Sequence, residues 1–179
     1  MTLNDIIVSA LAQLDRGHDE QTVELYRKRL TAYANEAQSD LARTMQLTKT
    51  EYADPTDGVV DLGALSENCI RVENVMQEGH RVPFRTGDDD GRLLLPYDSP
   101  AAITYRYDPK PLVSPGDVSV LNESVHPLIV SYVVGRERIG GDVTTQRGGN
   151  IYLAMYDAGK ARLRGYIRDH DSFMITNRY

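Results

Sequence analysis

The sequence predicts an α+β fold, in which a four-helix bundle from both chain ends carries an inserted small antiparallel β-sandwich or barrel. Three observations support this prediction. Apolar residues recur every three or four positions near both ends of the chain, which is typical of amphipathic helices. In the middle, short runs with strand-like alternation are separated by turn-forming sequences. The segment 124–139 is apolar on almost every side, so other parts of the protein must surround it.

The first two helices are predicted from caps and apolar periodicity. Thr2 can cap the first helix, and Asp19 can cap a longer one that runs to about Ala42. The apolar stripe of the first helix consists of Leu3, Ile6, Ile7, Ala10, Leu11 and Leu14. That of the second helix consists of Val23, Tyr26, Leu30, Tyr33, Ala37 and Leu41.

From about Gln46 the period of the apolar residues shortens towards two. The strand-like runs are LTKTEY, GVVDLG, CIRVENVM, HRVPF, RLLLP and AITYRY. The sequences between them are rich in Gly, Pro and Asp, which favour turns. Six short strands at this spacing indicate a small sandwich or barrel. The segment 108–117 contains three prolines and is expected to lead out of the β-domain, because proline interrupts both helices and strand ladders.

Two more helices are predicted after the strands. Ser124 is expected to cap the first, with Pro127 in its first turn, where a missing N–H costs little. Gly140 suits the left-handed position that ends such a helix. The last helix is expected to begin between Gln146 and Ile151.

These elements give the domain boundaries. Neither helical pair alone can cover the apolar segment 124–139, so the simplest arrangement brings both pairs together. Residues 1–45 and 118–171 then form the helical bundle, 46–117 the inserted β-domain and 172–179 a C-terminal tail.

Charge and composition exclude several classes of protein. The net charge is −6 and the isoelectric point is about 5.2, so the chain is a poor candidate for wrapping DNA, which requires concentrated positive charge. Residues 1–54, 55–121 and 122–179 carry −3, −5 and +2 respectively, which indicates differently used surfaces. The apolar runs are too short to span a bilayer. The single cysteine, Cys69, is expected to be a small buried hydrophobic residue.

No motif predicts catalysis, a cofactor or a metal site, and the protein is not expected to be an enzyme. The four histidines lack the spacing of metal ligands. Asp88, Asp89 and Asp90 are interpreted as a solvated hairpin tip. The alternative is a cation-binding or hydrolytic module in which Asp57 and Asp61 join these three acids.

The last helix and the tail carry the candidate partner-binding residues. Lys160, Arg164 and Arg168 form a basic face, for which solvation, docking on an acidic partner and contact with DNA are all open interpretations. The tail residues Phe173, Met174, Ile175 and Tyr179 are too apolar to stay in water. They are expected to pack on a neighbouring protein during assembly.

Four stretches together resemble the head–tail connector proteins of tailed bacteriophages, also called adaptors or head completion proteins. These stretches are TLNDIIVSALAQL, LYRKRLTAYANEAQSDL, ESVHPLIVSYVVGRERIGGD and NIYLAMYDAGKARL. The resemblance implies a helical bundle with an inserted β-domain.

It also implies a structural virion protein that forms a ring of about twelve copies below the portal. The ring would be a conduit for DNA during packaging and ejection, without sequence-specific binding. The implied partners are further copies of the chain, the portal protein and downstream tail proteins, but no membrane. The implied location is the head–tail interface of the virion, assembled in the host cytoplasm. A tail-completion protein is the alternative within the virion.

Overall fold

A computed structural model describes residues 1–17, 19–87, 91–140 and 143–171 of the chain, the last of these without the side chains of 143–147 and 164–171. These residues form an α+β structure with four helices and two antiparallel sheets. The chain divides into two compact units. The helical unit comprises Met1–Met45 and Pro111–Tyr179, and the β-unit comprises Gln46–Lys110. Residues 111–117, which the sequence assigned to the β-domain, group with the helices.

The predicted fold class was wrong. The strands form two open sheets, of four and three strands, and not a closed sandwich or barrel. Closure requires edge strands that pair over their length, but two of the edge strands, His80–Arg81 and Arg85–Thr86, are only two residues long. A regular four-helix bundle is not shown either. The helices have 11, 26, 14 and 29 residues, and among the described residues α1 and α4 make at most marginal contact with each other.

The first two helices are α1 (Leu3–Gln13) and α2 (Glu20–Met45). The predicted caps are confirmed: the Thr2 hydroxyl accepts a hydrogen bond from the Asp5 amide, and an Asp19 carboxylate oxygen accepts one from the Thr22 amide. Both bonds satisfy amides that a helix N-terminus leaves without partners. The predicted stripe of α1 is fully buried from Leu3 to Leu11. Helix α2 continues to Met45, three residues beyond the expected end.

Helix α3 (His126–Ile139) is the apolar segment that the sequence singled out. Its buried apolar residues lie on more than one side, namely Ile129, Val130, Val133 and Val134. It packs against α1, α2 and α4 (Val143–Asp171). Because three helices surround it, α3 can be apolar almost throughout.

The predicted start of α3 and the predicted conformation of Gly140 were wrong, although the helix ends before Gly140 as expected. Asn122, and not Ser124, caps the short 3-10 helix Glu123–Val125 that precedes α3. Gly140 has a φ of −73°, which is not the left-handed conformation that usually selects glycine at this position. Helix α4 also begins earlier than expected, at Val143.

Helices α3 and α4 approach closely where glycines face each other. A Cβ atom built on Gly149 would lie 3.0 Å from the carbonyl oxygen of Gly135 and 3.1 Å from the amide nitrogen of Ile139. One built on Gly159 would lie 2.3 Å from a methyl group of Leu128. The absence of side chains at these positions lets α4 pack on the backbone of α3 at Gly149 and on the Leu128 side chain at Gly159.

The strands of the β-unit are β1 (Thr48–Ala53), β2 (Val59–Asp61), β3 (Asn68–Gln77), β4 (His80–Arg81), β5 (Arg85–Thr86), β6 (Arg92–Leu94) and β7 (Ala101–Asp108). The orders are β1-β7-β3-β4 and β2-β6-β5. Each of the six predicted runs contains a strand, and β5 was missed. Ala101, Ile103 and Tyr105 alternate with half-buried residues along β7 and join residues of the other sheet in one apolar core.

We predict that Gly149→Ala destabilises the helical unit by about 2 kcal/mol. Alanine has the higher helix propensity by about 1 kcal/mol, but the added methyl group meets backbone atoms of α3 that cannot move aside. Chemical denaturation followed by circular dichroism measures the change. The control is Gly116→Ala, where no atom lies within 4 Å of the added Cβ. If Gly149→Ala is as stable as this control, the close approach of α3 and α4 is wrong.

Candidate partner-binding surface

The inner side of α4 is fixed to α2 by a polar cluster around Asp40. The Tyr156 hydroxyl donates to one Asp40 carboxylate oxygen over 2.5 Å, and the Lys160 ammonium donates to both oxygens. Tyr156 is buried, and the Lys160 side chain is only 18% exposed. Burial and the hydrogen bond to Asp40 raise the pKa of Tyr156 far above its usual range, so its hydroxyl keeps the donated proton. Lys160 thus directs its charge into the helical unit.

Aromatic rings extend this cluster onto α3. The rings of Tyr132 and Tyr156 are 4.9 Å apart between centroids. The Tyr132 hydroxyl donates to Glu36 of α2 over 3.0 Å, and Arg136 lies 3.4 Å from the same carboxylate. The Arg136 guanidinium also stacks over Tyr33, a favourable cation–π arrangement. These contacts connect three helices and set the rotation of α4 about its axis.

The other predicted partner-binding residues are described only in part. Arg164 and Arg168 lie in the last part of α4, where side chains are outside the described atoms. The tail residues Phe173, Met174, Ile175 and Tyr179 lie outside the described residues altogether.

The outer side of α4 is mostly apolar, although it faces solvent and the exposed Arg162 lies on it, four positions after Ala158. We call this surface the outer α4 face. It consists of Ile151, Ala154, Met155, Ala158 and Ala161, all exposed. Ile151 and Met155 are 63% and 55% exposed. A helix face in contact only with water normally carries polar side chains, so this face has the composition of a contact surface.

A second exposed apolar surface lies beside the start of α1. This valine patch consists of Val113, Val118 and Val120, which are 73%, 62% and 48% exposed. Its position is fixed by an antiparallel bridge between Val118 and Thr2. The Leu3 amide donates to the Asp117 carbonyl and the Ser119 amide to the Met1 carbonyl. The amide and carbonyl groups of Val118 itself therefore point away from residues 1–3.

Of the acids of the alternative cation site, Asp57 and Asp61 lie in the described part of the chain. Asp57 sits in a turn with a φ of 53°, and an Asp61 side-chain oxygen accepts a hydrogen bond from the Gly63 amide. Both line an open groove of about 660 Å³ that also contains Arg92. Asp88, Asp89 and Asp90 lie outside the described residues. Among the residues that are described, no group of three or more acids, histidines or cysteines could hold a metal ion.

Another polar cluster, around Glu51 of β1, resembles a catalytic arrangement only in its residue types. Glu51 accepts hydrogen bonds from the Ser66 hydroxyl and the Tyr105 hydroxyl and pairs with Lys49. Burial alone would raise the pKa of Glu51, but the bonds from Ser66, Lys49 and Tyr105 lower it to about 2. The pKa of Lys49 is raised, mainly by its bond to Glu51. Neither group can accept a proton at neutral pH, so the cluster is suited to holding strands together.

Comparison with known proteins identified no relative. No protein-family model matches the chain, and no curated protein is detectably similar to it in sequence. No helix within the described residues has both the length and the apolar character that crossing a membrane requires.

Sequence reasoning missed the polar contacts that fix α4 and both exposed apolar surfaces. No local pattern indicates the contacts of Asp40 and Glu36, because their partners lie more than ninety positions away. The valine patch was missed because Val113, Val118 and Val120 lie in a segment without helical or strand periodicity. The recurrence of apolar residues at steps of three and four from Ile151 to Ala161 could have indicated the outer α4 face.

We predict that Glu51 stabilises the β-unit in a pH-dependent manner. Its folded-state pKa of about 2 lies below the ordinary value of 4.5. Its stabilisation is therefore fully present above pH 4.5 and is lost as the pH falls through 2. Urea denaturation of the wild type and of Glu51→Gln from pH 2 to 6 should show a difference that shrinks with acidification.

The matched control is Asp54→Asn, an exposed acid next to β1 with no hydrogen bond or ion pair in the described part of the chain. Its stability should follow that of the wild type. A Glu51→Gln difference that stays constant over this pH range would contradict the assigned role of Glu51.

Proposed function

We propose that this protein is a structural virion component, a head–tail adaptor that forms a ring below the portal and lets DNA pass through. The resemblance in the four helical stretches supports this assignment. The observation that carries it is the outer α4 face, which presents Ile151 and Met155 to solvent on a helix whose rotation is fixed by Asp40. A contact surface on a rigid element is what a repeating assembly needs.

The charge distribution also supports this proposal. The ring subunit carries −6 overall, so a lumen formed by many copies would have little affinity for DNA phosphates. DNA could then slide through the ring without being held. The proposed role requires no catalytic residue, cofactor or metal ion.

The proposal can be tested by determining the assembly state of the purified protein. We expect rings of about twelve copies, either alone or when mixed with the portal protein of the same virus. Light scattering and negative-stain electron microscopy measure the number of copies and the shape.

A protein that remains monomeric at all concentrations, both alone and with portal, would refute the adaptor assignment. Gel-shift titration with double-stranded DNA at physiological salt is a useful second measurement. We expect no shift; tight DNA binding by the ring would contradict a conduit that releases DNA freely.

A further inference from the structure

We propose that neighbouring copies of this protein join head to tail, with the outer α4 face of one copy seated on the valine patch of the next. This inference rests on the proposed ring and names the two surfaces that build it. A cyclic ring requires heterologous contacts, so each copy must carry two unlike surfaces that fit each other. The helical unit carries two such surfaces.

Both surfaces are apolar enough to indicate contact with another protein surface. Single exposed apolar residues are common on soluble proteins, but here they are grouped. Ile151 and Met155 lie one helical turn apart among the exposed alanines of α4. Val118 and Val120 lie two positions apart, and both are exposed. Grouped apolar side chains of this kind mark contact surfaces.

The two surfaces belong to different sides of the helical unit. Helices α1 and α4 both pack on α3, and among the described residues they make at most marginal contact with each other. The outer α4 face points away from α3, because the opposite side of α4 holds Gly149, Tyr156 and Gly159. The valine patch is attached to the start of α1. One copy can therefore offer both surfaces at once.

Charge complementarity favours a second copy as the occupant. Between residues 111 and 125 the charged residues are Asp117 and Glu123, both acidic. Hydrogen bonds from the amides of Val113 and Ser114 lower the pKa of Asp117, so it is ionised. Between residues 157 and 168, Arg162, Arg164 and Arg168 accompany one acid, and Arg162 is exposed. Lys160 is paired with Asp40 and is not counted here. In the proposed contact, the acidic residues beside the valine patch thus meet the basic residues of α4 beside the outer α4 face.

The first test removes each surface separately. One variant combines Ile151→Glu and Met155→Glu, and the other combines Val118→Asp and Val120→Asp. The control is Leu25→Glu, which changes an even more exposed apolar residue of α2. Because all five sites are exposed, the variants should fold, which thermal melting verifies. We expect both surface variants to lose the ring and the control to keep it.

The second test shows whether the surfaces touch. In protein with Cys69→Ser, Met155→Cys and Val118→Cys together, a short thiol cross-linker should give a ladder of covalent multimers. Each single-cysteine variant should give none. Dimers from Met155→Cys alone would show that two outer α4 faces pair with each other. Absence of the ladder in assembled rings would show that other surfaces meet. Either result overturns the inference.

These outcomes separate the inference from the function on which it rests. If the wild type forms rings and both surface variants also form them, the assigned surfaces are wrong while the adaptor assignment stands. If the wild type forms no ring with or without portal, both proposals fall.

Discussion

The burial of α3 is the constraint on which the helical unit depends. Ile129 and Val133 are fully buried, and Val130 and Val134 nearly so, so this helix cannot exist in water without protein on several sides. Helix α1 precedes α3 by more than a hundred residues, and α4 is the next helix after it. The chain must therefore return to its own N-terminal helices after completing the β-unit. Glycines at 135 and 149 then bring α4 against the backbone of α3.

The arrangement of α4 follows from the same constraint. Once α3 is covered, α4 has one side for packing and one for solvent, and the Asp40 cluster determines which is which. Tyr156 and Lys160 are drawn inward, while Ile151 and Met155 are left outside. The polar contacts contribute orientation more than net stability, since partly exposed ion pairs are worth little. In the proposed ring, that orientation decides which residues a neighbour meets.

The sequence predicts the individual helices and strands better than it predicts how they pack together. The caps at Thr2 and Asp19, the buried stripe of α1 and the alternation along β7 depend on local periodicity and are confirmed. The closed β-domain was wrong, because strand length and edge pairing depend on partners far away in sequence. The left-handed conformation expected at Gly140 was wrong, because its φ is −73° and the presence of a glycine alone does not determine the sign of φ. The Asp40 cluster needs contacts between α2 and α4 that no local pattern specifies.

Native-state hydrogen exchange tests the central position of α3 most directly. If α3 is enclosed by the other helices, the amides of Val130 and Val133 exchange only when the helical unit unfolds as a whole. Their opening free energies should then equal those of Leu30 in α2 and match the free energy of unfolding from denaturation. Amides of α3 that open at far lower free energy than those of α2 would contradict this account.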